Sequence, residues 1–138
     1  MRLRQLLPAL CLALLPALAA AQADTRPTVP PHAEWVKVSQ TTREVFYIDP
    51  ATIRRDGNLR SVVVLQDLDQ KGPDGALSRQ AMDEYDCRSR TRRLLSIHQY
   101  SGRMAGGHLI GSENKPTEWN PIPAGSHALT VLKVVCAR

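Results

Sequence analysis

The sequence predicts an α+β fold that is mostly β: a small antiparallel sheet with one C-terminal helix lying on one face. Two observations predict the sheet. Polar and apolar residues alternate in short runs from Glu34 onward, and turn residues recur roughly every 8–12 positions, as in all-β chains. A third observation predicts the helix. Ala128, Val131, Leu132 and Val135 follow the i, i+3, i+4, i+7 spacing of one helix face, behind Ser126 at the N-cap position.

The first element is not part of that fold. Met1-Arg2-Leu3-Arg4 is basic, Leu6 to Leu18 is apolar and uncharged, and Ala19-Ala20-Ala21 is small. This is the pattern of a secretory signal peptide over residues 1–21; cleavage after Ala21 or after Ala23 fits, with Ala21 preferred. The apolar run is shorter than the ~20 residues that a membrane-spanning helix needs. Pro8-Ala9-Leu10-Cys11 lacks the small residue that a lipid-attachment site places before its cysteine. The expectation is therefore an exported protein in the periplasm or at the outer cell surface, with no transmembrane segment. Removal of Arg2 and Arg4 lowers the basic count from 18 to 16 against 13 acidic residues, so the formal charge falls from +5 to +3. That permits contact with anionic surfaces without demanding it. The charge is too diffuse, and the aromatics too few, for a nucleic-acid binder.

Two cysteines remain, Cys87 and Cys136, and an exported chain with two usually joins them. The bond would tie the last segment to the middle of the domain. No Cys-x-x-Cys spacing supports a redox pair.

Residues 22–33 hold Pro27, Pro30 and Pro31 and read as a Pro-rich leader into a single domain at residues 34–138. Glu34 to Gln40 alternates as a half-buried strand, and Thr41-Thr42 turns. Arg43 to Asp49 is the second strand. Asp49-Pro50 predicts a turn or single helical turn, with Ile53 filling the core. Asp56-Gly57 is a hairpin signal. Asn58 to Leu68 is the longest strand; its apolar run Val62–Leu65 predicts burial on both faces and a central position. Asp69 to Gly75 is an exposed loop. Ser78 to Arg88 and Thr91 to Tyr100 form a hairpin, and residues 103–113 form a weak edge strand or a loop. Trp119 to Pro123 leads into the last element, where the N-cap and the spacing favour a helix over the strand that its β-branched residues suggest. An open sheet of this kind leaves edges through which two copies can pair.

No motif spells out a reaction: the chain has no Gly-x-Ser-x-Gly and no glycine-rich phosphate loop before a helix. His32, His98, His108 and His127 lack metal-ligand spacing, so neither a metal nor another cofactor is expected. Asp83, Glu84 and Asp86 suit a solvated face, balanced by arginines across the hairpin, better than an acid–base pair. Trp35 and Trp119 read as core or sheet-face residues. The best functional lead is Arg88, Arg90, Arg92 and Arg93. On a regular strand the even-numbered three share a face, and clustered guanidiniums clamp carboxylate, sulfate or phosphate bidentately. The blander reading is a hairpin tip kept soluble by charge.

One resemblance spans almost the whole mature chain. It is carried by Trp35-Val36-Lys37-Val38, by Phe46-Tyr47-Ile48-Asp49-Pro50-Ala51-Thr52-Ile53 with Asp56-Gly57, and by Glu84-Tyr85-Asp86-Cys87. Gly106-Gly107, Trp119, Pro123-Ala124-Gly125-Ser126 and Val134-Val135-Cys136 complete it. In this ordered set the chain resembles the surface-adhesin protein E family of bacterial exported proteins. The resemblance implies about six antiparallel strands and a C-terminal helix tethered by a Cys87–Cys136 disulfide. It implies a non-enzymatic binding protein with host matrix or serum proteins as partners; acidic glycans are the partners that the arginine cluster itself suits. A periplasmic protein of structural or lysozyme-inhibitor type is the alternative. An inhibitor of basic lysozyme calls for an acidic face, and the net charge has the wrong sign.

Overall fold

Six strands cross one sheet in the order in which they occur in the chain, each antiparallel to the last. The computed structural model describes residues 34–137. The expected signal peptide with Cys11 and the leader with His32 lie outside the described residues. The strands are β1 (Val36–Gln40), β2 (Glu44–Asp56), β3 (Leu59–Leu68), β4 (Ser78–Asp86), β5 (Thr91–Tyr100) and β6 (Leu109–Glu113). A short β7 (Asn120–Pro121) pairs with β5, and α1 (His127–Cys136) closes the fold.

The short turn signals dictate this meander, because a hairpin needs only a few residues whereas a parallel crossover needs a dozen or more. Asp56 pairs with Leu59 across Gly57-Asn58, and Gly57 takes the left-handed conformation at φ 54° that such two-residue turns require. The central position of β3 follows from its apolar run: Val62, Val64 and Leu65 are buried, with Val62 and Leu65 at 0% exposure.

Five details depart from the sequence reading, the first being that β2, at 13 residues, is the longest strand rather than β3, at 10. The turn expected at Asp49-Pro50 is instead a bulge within one long strand. Register with β3 breaks between Asp49 and Arg54, where the chain holds itself by local bonds. Asp49 Oδ1 accepts from the Ala51 amide, and the Thr52 hydroxyl donates to the Asp49 carbonyl while accepting from the Val63 amide. Proline has no N–H for a ladder, and a bulge is where a strand tolerates it. Ile53 packs against the core as expected. Strand β4 ends at Asp86, not at Arg88, because Cys87 to Arg90 form the turn. Asp83 is buried in the core instead of facing solvent. Asn120-Pro121, read as a lead-in, adds β7 to the β5 edge. The ambiguous segment at residues 103–113 resolves into a loop followed by edge strand β6.

Helix α1 begins where the sequence places it. The Ser126 hydroxyl accepts from the Leu129 amide at 3.3 Å, capping the first turn. Its buried residues are Ala128, Val131, Leu132 and Val135, the four of the predicted stripe. They pack on Phe46, Ile48, Val62, Val64 and Tyr85 of the sheet. Burying each of the larger aliphatic side chains contributes roughly 1.5–3 kcal/mol. The Cys87–Cys136 disulfide fastens the far end of the helix, with the Cα atoms 5.7 Å apart.

The opposite end of the sheet is closed by the loop between β5 and β6. Buried Asp67 accepts two bonds from the Arg103 guanidinium and one from the Met104 amide. Buried Ser78 donates to the Gly102 carbonyl at 2.6 Å and accepts from the Ala105 amide at 2.9 Å. Both buried polar groups are thereby satisfied.

Candidate functional site

The β4–β5 turn is rigid for reasons written into its residues. Asp86 Oδ1 accepts from the amides of Arg88 at 2.8 Å and Ser89 at 3.2 Å, and the Arg90 amide donates to the Asp86 carbonyl at 2.8 Å. The amides of Ser89 and Arg88 hold the Asp86 carboxyl below the usual carboxylate range. Cys87 locks the turn from the other side through its disulfide. Arg88 and Arg90 stand exposed on this platform. Arg90 adopts φ 58°, a conformation that glycine takes freely and arginine does not.

The other two arginines of the predicted cluster are held elsewhere. Strand alternation sends Arg92 to the helix face, opposite Tyr85, and Arg93 to the other face, opposite Glu84. Arg92 grips Asp83 in a two-pronged pair, Nε to Oδ2 and Nη2 to Oδ1, both 2.8 Å. The Tyr85 hydroxyl donates to Asp83 Oδ2 at 3.1 Å. Burial first, and the Asp83 charge second, push the Tyr85 phenol well above its ordinary range, so it stays a donor. Arg93 bonds Glu84 at 2.6 Å, and its guanidinium lies 4.7 Å from the centroid of the Trp119 ring. Trp119 is exposed on the surface with Arg93 over it, and Trp35 is half-buried at the start of the sheet.

The four arginines therefore do not share a face. The reading assumed a regular strand through Arg88 and Arg90, but the chain leaves the strand at Cys87 and re-enters it at Thr91. Of the three carboxylates expected on a solvated face, Glu84 pairs across the hairpin with Arg93, Asp86 builds the turn, and Asp83 is buried against Arg92.

What the structure brings beside Arg88 and Arg90 is a second turn. The Cys87 amide donates to the Asn58 carbonyl at 2.9 Å, so the β2–β3 and β4–β5 turns sit side by side. Arg54 and Arg55 are exposed on the neighbouring strand end, and Arg60 lies opposite Arg55. Sequence reasoning missed these residues. The signal was available: in an antiparallel meander, alternate hairpin turns share one end of the sheet.

A cavity of about 290 Å³ lies between β5, β7 and the helix start, lined by Arg92, Arg93, Leu94, Asn120, Ile122 and Ala128. His127 stacks on Phe46 nearby, with ring centroids 3.7 Å apart. Among the described residues, no group of three or more His, Cys, Asp and Glu is placed to hold a metal ion. No helix among them is long and apolar enough to cross a membrane.

Residues 35–137 match the family described as surface-adhesin protein E. The chain belongs to that family. The fold is similar to that of solved structures of Haemophilus influenzae protein E. Crystal form II of that protein matches with a TM-score of 0.61 at 13% identity, covering 84% of this chain and 97% of the other. A second structure of protein E gives 0.58 at 14% identity over 81% and 90%. A third, from the non-typeable form of the organism, gives 0.54 at 13% identity over 81% of each chain. No curated protein sequence matches. At these identities the structural likeness concerns the fold alone.

The surface-adhesin protein E domain seen here carries an expected pH dependence at His127. Burial lowers its pKa from 6.5, and the Arg92 charge lowers it further against Asp83 and Glu44. Burial lowers His98 in the same sense. The unfolded chain takes up these protons near pH 6.5 while the folded chain resists, so stability is full above that pH and declines below it. Melting temperatures between about pH 7.5 and pH 5.5 should fall with acidity, and His127→Gln should flatten the decline. An unchanged slope in His127→Gln and His98→Gln together would remove the histidines as its source.

Proposed function

We propose that this chain is an exported, non-enzymatic adhesin-type binding protein, with host matrix or serum proteins or acidic glycans as its partners. Membership of the surface-adhesin protein E family over residues 35–137 is the observation that carries this reading. Its mature form begins at Gln22, after a signal peptide over residues 1–21 and ahead of the Pro-rich leader. Within the arginine cluster, Arg88 and Arg90 contact the partner. Arg92 and Arg93, each held by a carboxylate, act behind them by fixing the strand on which the turn stands. A rigid turn spares the cost of ordering the backbone when its guanidiniums bind, which favours affinity.

Protease shaving of intact cells, followed with an antibody against the domain, tests the display that this function requires. Loss of the signal from intact cells is the expected result. Full protection, with release only on osmotic shock, would overturn the adhesin reading in favour of a periplasmic role.

A further inference from the structure

We propose that the β2–β3 and β4–β5 turns together form one composite site for a linear sulfated glycan. The inference rests on the reading of the chain as a binding protein and names the ligand class of that site. Residues 54–60 and 86–90 hold five arginines against two aspartates, a formal +3. All described residues together hold fourteen basic and twelve acidic side chains, so the rest of the domain is close to neutral. The concentration is a product of topology, because the two turns are far apart in sequence and bonded side by side in space.

The charges of the two turns are placed differently from those at the other end of the sheet. There, Arg79 pairs with Asp74 and Arg103 with Asp67. At the composite end, the Arg54 and Arg60 guanidiniums bond backbone carbonyls of their own hairpin, and neutralise no carboxylate by doing so. Asp86 accepts from turn amides. The positive charge is left to act outward.

Two features select the ligand. Neighbouring strands lie ~4.8 Å apart, so the two turns present charge at about 10 Å intervals, a repeat that suits a polymer charged along its length better than one small anion. The exposed large apolar residues Val36, Met104, Leu109, Ile110 and Trp119 belong to neither turn. A surface that docks on a lipid bilayer would insert apolar side chains beside its cations. Guanidinium forks match sulfate oxygens in pairs.

Arg90 adds an independent handle. Its left-handed backbone persists at a conformational cost that glycine would relieve. An arginine kept there for binding should be replaceable by glycine with a gain in stability and a loss in affinity.

The test measures heparin binding by the mature chain across a salt series. The variants are Arg54→Ser/Arg55→Ser, Arg88→Ser/Arg90→Ser and Arg90→Gly, with Lys37→Ser/Lys115→Ser as a control away from the turns. Each arginine pair is expected to elute at lower salt and to reduce the slope of log affinity against log salt by about 1.5–2. The lysine control should elute like the parent. Arg90→Gly should bind more weakly while melting about 3–6 °C higher. A parent-like Arg54→Ser/Arg55→Ser would overturn the composite site and leave the β4–β5 turn alone. Binding to phosphatidylglycerol vesicles but not to heparin would overturn the glycan assignment in favour of a lipid surface. If the parent ignores heparin, this inference fails while the adhesin reading still stands or falls by shaving of intact cells.

Discussion

Replacing Cys87 and Cys136 together by alanine lowers the melting temperature of the mature protein by about 15–25 °C. The two cysteines are 49 residues apart in sequence. Closing a loop of that length removes about 4 kcal/mol of freedom from the unfolded chain in the chain-entropy treatment. A domain of this size is stable by roughly 5–15 kcal/mol in total, so the bond carries a large share. A second consequence follows from its position. Helix α1 has ten residues, and a helix that short is marginal on its own in water. It holds through the buried stripe along its length and through the disulfide at its C-terminal end. Thermal melts followed by circular dichroism, with and without reductant, provide the check. Reduction of the parent should reproduce the double variant. A shift below about 5 °C would mean that the stripe of Ala128, Val131, Leu132 and Val135 holds the helix without the bond.

The sequence disclosed the elements better than their edges, and local charge better than its burial. The helix was legible because a four-residue stripe and an N-cap agree, and β3 because its apolar run has no solvent face. The bulge after Asp49 was not. Asp-Pro signals a departure from a regular strand, but a turn and a bulge begin alike, and what tells them apart is long-range: pairing with β3 resumes at Arg54, and the Val63 amide bonds the Thr52 hydroxyl across the break. The Arg88–Arg93 cluster was legible as charge and misread as geometry. Periodicity places alternate residues on one face only while the chain remains a strand, and one turn at Cys87–Arg90 divides the set. Asp83 was hidden for a related reason. A run of Asp-Glu-x-Asp reads as solvated, and nothing local announces that Arg92, nine residues later, will reach in to neutralise the first of them. Arg54 and Arg55 became candidates only when topology set their hairpin beside the other.

The Asp83–Arg92 pair supports the second large prediction. Arg92→Met keeps much of the apolar stem and removes the guanidinium, leaving Asp83 at 0% exposure with the Tyr85 hydroxyl as its remaining side-chain partner among the described residues. Breaking a buried pair from one side costs about 3–5 kcal/mol, because the surviving charge has lost its compensation. The Arg92 side chain is 31% exposed, so solvent screens part of the loss and about 2–4 kcal/mol is expected. Asp83→Asn in the same background should recover part of it, since a neutral amide is cheaper to bury than a carboxylate. The cycle of both single variants and the double variant should give a coupling above about 1 kcal/mol, measured by urea denaturation. A coupling below about 0.5 kcal/mol would mean that the pair is an incidental contact. The same variant separates structure from recognition. Because Arg92 is bound inward to Asp83, Arg92→Met held well below its melting temperature should keep most of its affinity for heparin, whereas Arg88→Ser/Arg90→Ser should lose it. If Arg92→Met loses as much affinity as the turn variant at equal folded fraction, then Arg92 reaches the ligand, and the division of the cluster into presented and carboxylate-paired arginines is wrong.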